Sequence, residues 1–193
     1  MSLFTTTLTE TELEYCKNIA KKRIDFNKNH NDIKSYDHNR FNLSSLQSNF
    51  LALTVEVALC KFLDVNHLDP RVYCGFSRDY KDFQKPDVLG VFEARRANKP
   101  YSPLPVRTKD VKANAIIVQG YAPYEQTGKD SLNDLSGYGT IKWTGWMCSH
   151  DAWRVGDVPE WSYNKQDRTV AQKDINTDMG QLWEHYKEHH KDA

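Results

Sequence analysis

The chain reads as an α/β protein, with α+β segregation as the variant, built on a mixed central sheet of about five strands flanked by helices. Two observations carry this. Long helical patterns open and close the chain, and the stretch between residues 70 and 150 breaks into short β-like runs separated by glycine and proline. A length of 193 residues suits one domain with a real hydrophobic core. That single domain, 1–193, divides into N-terminal helices over about 10–63, a sheet over about 70–150 and a C-terminal helix over about 177–190.

Thr9 followed by Glu12 forms a capping box, and Leu13, Cys16, Ala20 and Ile24 then recur at helical spacing, so a first helix is expected over about 10–26. The polar run NKNHNDIKSYDHNR closes it. Ser44 with Gln47 caps a second helix over about 45–63, SLQSNFLALTVEVALCKFL. The runs RVYCGF, DVLGVFEARRA, LPVR, NAIIVQGYA and TIKWTGWMC read as strands of one mixed or antiparallel sheet. Residues 125–139, EQTGKDSLNDLSGYG, form a polar, glycine-containing loop expected to be mobile. Thr177 then caps a last helix whose Met179, Leu182, Trp183 and Tyr186 share one apolar stripe.

Composition narrows the function classes. Lysine plus arginine (26) equal aspartate plus glutamate (26), so a nucleic-acid site must be a local patch. One such stretch contains Arg95, Arg96, Lys99, Arg107, Lys109 and Lys112 with Asp110 as its sole acid, and a solvated basic face is the plainer reading. The start of the chain lacks the basic, apolar pattern of a secretory signal, and no segment has the roughly 18 apolar residues of a membrane span. A cytoplasmic protein with no membrane partner is expected. Cys16, Cys60, Cys74 and Cys148 stand far apart without a CxxC pair, which suits free thiols rather than disulfides or structural zinc. No nucleotide-binding glycine motif is present, so no organic cofactor is expected.

The chemistry concentrates in KPDVLGVFEARRA. On an extended backbone Glu93 and Arg95 point to one side while Phe92 and Ala94 point to the other. With Asp87 upstream the pattern is P-D-x5-E-x-R. Six extended steps from Asp87 to Glu93 span about 20 Å, too far for shared chemistry, so the chain has to turn. Gly90 suits that turn. A two-residue turn at Leu89 and Gly90 would put the acids on opposite faces, whereas a three-residue loop over 89–91 would set Asp87 opposite Glu93. A further carboxylate, Glu56, lies on the apolar stripe Leu53, Glu56, Cys60, Leu63 of the second helix. Burying it requires a metal, a basic partner or solvent at that face.

These residues resemble the PD-(D/E)xK signature of the restriction-endonuclease-like nuclease superfamily, with arginine where that family has lysine. In that superfamily a helix ahead of the sheet often carries a further glutamate, the place Glu56 takes here. LPVR, NAIIVQGYA, IKWTGW and SHDAW look like the remaining strands of small phage-type nuclease-like proteins, a likeness covering about residues 45–155. The resemblance implies phosphodiester hydrolysis of DNA. Asp87, Glu93 and Glu56 would hold Mg2+ or Mn2+, Arg95 would stabilise the phosphate, and Arg96, Lys99, Arg107 and Lys109 would bind the nucleic acid. Carboxylates without histidine or cysteine favour such hard cations. Arginine supplies charge but, with a pKa above about 12, not a base. Three readings stay open: metal-bound water or bulk solvent handles the proton, Lys109 supplies the missing ammonium, or the fold has lost the reaction. A catalytically inactive module binding nucleic acid or protein, and a structural or assembly subunit, are the alternatives, and homo-oligomerisation is compatible with each.

Weaker signals have plain explanations. His185 to His189, HYKEH, matches the H-x-x-E-H pattern of inverted zinc peptidases by accident and reads as a solvated terminal helix. His150 beside Asp151 offers a local acid/base pair, and a strand-end turn explains it at least as well. Trp143, Trp146, Trp153 and Trp161 read as core before they read as a base-stacking surface.

Overall fold

The computed structural model describes residues 4–29, 43–66, 85–124, 132–162 and 165–190. Strand β1 (Thr5–Thr7) precedes helix α1 (Glu10–Asn29), which starts at the expected box: Thr9 N–H donates to Glu12 Oε2 at 2.6 Å and Glu12 N–H to Thr9 Oγ1 at 3.3 Å. Helix α2 (Ser45–Phe62) is capped by Ser44 and Gln47 as the sequence indicates. It is buried on nearly every side, including Phe50, Leu53, Val57 and Cys60, so it forms the centre of the core. The start of α1 meets the end of α2, where Lys61 Nζ donates to Glu12 Oε2 at 3.0 Å. Burial acts to raise the Glu12 carboxyl, but the Thr9 N–H and Lys61 outweigh it and hold the group below its usual range.

Strands β2 (Phe92–Ala97), β4 (Ile116–Tyr121) and β5 (Thr140–Cys148) join β1 in a mixed sheet of order β1-β5-β4-β2, with β2 and β4 parallel and the other pairs antiparallel. The sheet has four described strands, because LPVR does not join it. As β3 (Leu104–Arg107) it pairs antiparallel with β6 (Asp167–Val170) in a separate two-stranded sheet. The run DRTV of β6, with three polar residues in four, carries too little apolar pattern to be read as a strand. RVYCGF and Cys74 lie outside the described residues, as does 125–131 of the expected loop. The described end of that loop buries Leu132 and Leu135.

SHDAW is not a strand: after α3 (Thr108–Lys112), helix α4 (Ser149–Val155) takes up that segment directly from the end of β5. Asp151 pairs there with Arg154 at 2.9 Å, not with His150. Helix α5 (Met179–His190) buries Met179 and Leu182, with Trp183 and Tyr186 packed beside them. Its N-cap is Asp178, whose Oδ1 accepts from Gly180 N–H at 2.9 Å, rather than Thr177.

Two apolar clusters divide the sheet's faces. Phe92, Ile116, Val118, Trp143 and Trp146 pack with α1, α2 and α5, whereas Ile117 packs with Leu104, Val106, Val170 and Ala152 on the side of the small sheet. Trp153 lies against Arg168 on that second side, and Trp161 is exposed. At Gly145, φ is 143°, and an added Cβ would lie 2.6 Å from the Asn176 carbonyl. Only glycine lets the 176 backbone come close enough for Trp146 N–H to donate to Asn176 O at 2.8 Å. No described helix is long and apolar enough to cross a membrane.

Candidate active site

The turn that the D-x5-E spacing requires is present. Val88 N–H donates to Phe92 O and Phe92 N–H to Val88 O, both at 2.9 Å, which leaves 89–91 as a three-residue loop. Leu89 and Gly90 both have positive φ, 55° and 67°. Glycine adopts this region freely, whereas leucine is strained there. Continuing the Val88–Phe92 register sets Asp87 opposite Glu93, and Asp87 Oδ2 accepts from Ala94 N–H at 3.0 Å. The hairpin therefore converts a sequence separation of six residues into a cross-strand pair.

Alternation along β2 places Glu93 and Arg95 on one face, in register with Ile117 and Gln119, toward the small sheet. There Glu93 Oε1 accepts from Arg95 Nη1 at 2.8 Å and from Lys109 Nζ at 2.9 Å. Arg95 Nη2 in turn reaches both oxygens of Asp110, at 2.8 and 2.7 Å. Asp110 Oδ2 also accepts from Arg107 N–H at 2.8 Å, fixing the entry of α3. The Asp110 side chain is fully buried and Arg95 is 12% exposed. Burial disfavours the Arg95 charge, but Glu93, Asp110 and Asp87 outweigh it, so the guanidinium keeps its proton more firmly than usual. It is a fixed charge, not a base.

Glu56 comes from the helix layer. Arg23 of α1 grips it in a fork, Nη1 to Oε1 at 3.1 Å and Nη2 to Oε2 at 2.9 Å. The carboxylate on the apolar stripe is thus answered by a basic partner, one of the three possibilities the stripe allowed. Burial and the Glu56 and Glu12 charges raise the Cys16 thiol far above its usual range, so this buried thiol is inert. Asp87 links the two layers. Burial, then Glu93, then Glu56 raise its carboxyl well above the ordinary 3.8, and Arg95 and Lys109 only partly offset them. Glu56 from α2 and Glu93 from β2 therefore both act electrostatically on Asp87 in the hairpin.

The basic stretch is not a uniform solvated face. Arg95 and Lys109 belong to the Glu93 cluster, and Arg107 Nε lies 3.8 Å from Asp167. Arg96, on the opposite face of β2, is half-buried; burial lowers its guanidinium and Tyr124 partly restores it. Lys99 is exposed above the Tyr101 ring. Arg23 and Asp110 are the site residues that sequence reasoning missed. Each had a signal: Arg23 continues the buried stripe of Cys16 and Ala20 by a further turn, and Asp110 is the lone acid in a basic run.

Oxygen-only donors suit a hard divalent cation. Yet among the described residues no group of three or more histidine, cysteine, aspartate or glutamate side chains is assembled to hold a metal ion. Arg23 instead holds Glu56, and Arg95 with Lys109 holds Glu93. The HYKEH motif has a different environment, with His185 Nε2 3.1 Å from Cys148 Sγ and its ring on Trp146. Comparison with protein families, characterised proteins and solved structures finds no significant match.

Proposed function

We propose that the chain is a metal-dependent DNA nuclease of the restriction-endonuclease-like class, using Mg2+ or Mn2+. The observation that carries this reading is the hairpin at 89–91, which brings Asp87 to Glu93 and is supported by a strained leucine at its tip. Strain of this kind persists where surrounding contacts enforce it, and it concentrates at functional sites.

In this reading Asp87 and Glu93 are the cation ligands and Glu56 the supporting carboxylate. A bound cation would supply a water of lowered pKa and neutralise charge on the phosphate. Arg95, held by Asp110, presents a fixed positive charge to the phosphate. Lys109 supplies the ammonium that the E-x-R variant lacks on its own strand, since its Nζ already reaches Glu93. Lys99 and Arg107 extend the positive surface available to the DNA backbone, whereas Arg96 lies half-buried on the opposite face of β2 beside Tyr124.

Cleavage of linear, circular and branched DNA with Mg2+, Mn2+ and EDTA tests the reading. Cation-dependent cutting that disappears in both Asp87→Ala and Glu93→Ala is expected. Cutting that survives both changes refutes it. A second reading follows from the Arg23–Glu56 fork, which occupies the supporting carboxylate: a non-catalytic module that binds nucleic acid. Salt-sensitive, EDTA-resistant binding with no cutting would select it.

A further inference from the structure

We propose that Cys148 and His185 form a nucleophile–base pair that takes a small activated acyl group on sulfur, at a site separate from the Glu93 cluster. The sheet fixes where this pair lies. Phe92, Ile116 and Cys148 are neighbours in one row across β2, β4 and β5. That row faces α5, where the Phe92 ring packs on Tyr186 at 5.0 Å. Glu93 and Ile117, one residue further along their strands, face the small sheet instead. The pair and the carboxylates are therefore on opposite faces, and neither needs the other.

The geometry is that of a thiol beside its base. His185 Nε2 lies 3.1 Å from Cys148 Sγ. Trp146 packs on the His185 ring at 5.2 Å and His189 at 4.5 Å, which fixes the orientation of the imidazole. Cys148 and His185 line a cleft of about 320 Å³ together with Asn114, Ile116 and His189. Small-molecule pockets begin at about this size, roughly 300 Å³. Both partners are half-buried, whereas Cys16 and Cys60 are shut inside the core at 0% exposure. Among the described cysteines, only Cys148 pairs an imidazole with access from the surface.

The reaction follows from the proton. Burial, and then Asp151, raise the Cys148 thiol above its usual range, so the resting sulfur is a neutral S–H. With the ring proton of His185 on Nδ1, Nε2 accepts from that thiol. Sulfur then attacks the acyl carbon while its proton passes to Nε2. The S–C bond forms, the bond from carbon to the leaving oxygen breaks, and the imidazolium returns the proton to that oxygen. The products are an S-acyl cysteine and an alcohol, with no change in oxidation state. Asn114 and His189, in the cleft wall, carry N–H donors suited to a polar acyl group.

The experiment treats the full chain with p-nitrophenyl acetate, follows nitrophenol release and locates the acetyl group by peptide mass mapping, which reads each cysteine separately. Acetylation of Cys148 is expected, with Cys16 and Cys60 unmodified. His185→Gln should slow it by about tenfold or more, and His185→Phe, which keeps a ring on Trp146 without a base, should do the same. Cys148→Ser should abolish the nitrophenol burst. Thermal melts identify which variants are folded, and Cys148 in urea-unfolded wild type gives a reference rate that needs no variant. The proposal is overturned if Cys148 stays unmodified, if it reacts as fast in a folded His185 variant as in wild type, or if unfolding leaves its rate unchanged. Asp87→Ala and Glu93→Ala should acetylate like wild type, so DNA cleavage and acylation are tested independently.

Discussion

Replacing Asp110 with alanine should destabilise the fold by about 4 kcal/mol. Removing one partner of a buried ion pair costs about 3–5 kcal/mol because it leaves the other charge unanswered. Arg95 keeps Glu93 Oε1 at 2.8 Å, which places the loss at the lower end, about 3 kcal/mol. The bond from Arg107 N–H to Asp110 Oδ2 is also lost, a helix cap worth about 1 kcal/mol. Urea unfolding followed by the fluorescence of Trp143 and Trp146, both buried, reports the change. With a slope of about 2 kcal/mol per M, the midpoint should fall by about 2 M. Asp110→Asn retains the cap acceptor and should lose about 3 kcal/mol instead, about 0.5 M less in midpoint. A midpoint shift under about 0.5 M for the alanine variant would refute the claim that Asp110 anchors Arg95.

Asp87→Asn should stabilise the chelator-treated protein at neutral pH, because burial, Glu93 and Glu56 raise the wild-type carboxyl while the amide still accepts from Ala94 N–H. The native state holds this proton more tightly than the unfolded chain, so the wild type loses stability as pH rises above about 4. The gap between variant and wild type should close in acid and widen toward neutrality, by about 1.4 kcal/mol for each tenfold difference in proton affinity. A variant melting below wild type at neutral pH contradicts this. Leu89→Gly should relieve the positive φ at an exposed position and gain roughly 0.5–1 kcal/mol after the entropic cost of glycine, and an unchanged or lower Tm counts against strain there. Gly145→Ala should cost about 2 kcal/mol or more, since its Cβ would meet the Asn176 carbonyl and Ile175 Cγ2 within 2.7 Å. Native-like amide exchange at Trp146 in that variant would exclude the clash.

Much of this arrangement is legible in the sequence because it follows local rules. The capping boxes at Thr9 and Ser44 depend on side chains three residues apart, and both form. The shared face of Glu93 and Arg95 needs only the two-residue period of a strand, and the loop at 89–91 follows from a glycine and the length of the gap. The expected stripe of α5 is buried for the same reason, although its cap shifts by one residue, from Thr177 to Asp178. Separating LPVR from the main sheet was beyond a local reading: its partner lies some sixty residues later in a run that is mostly polar. SHDAW likewise carries no period long enough to distinguish a strand from the two turns of α4.

Local rules along the chain establish which acids and bases exist, where the chain must turn, and that a buried Glu56 needs an answer to its charge. What that answer is depends on how the elements pack. Arg23 and Glu56 are 33 residues apart, and Arg95 and Asp110 are 15. Ion pairs act through space, with no periodicity along the chain, so their partners are fixed only when helices and strands pack. The same packing decides that Glu93 is held by two cations, Arg95 and Lys109.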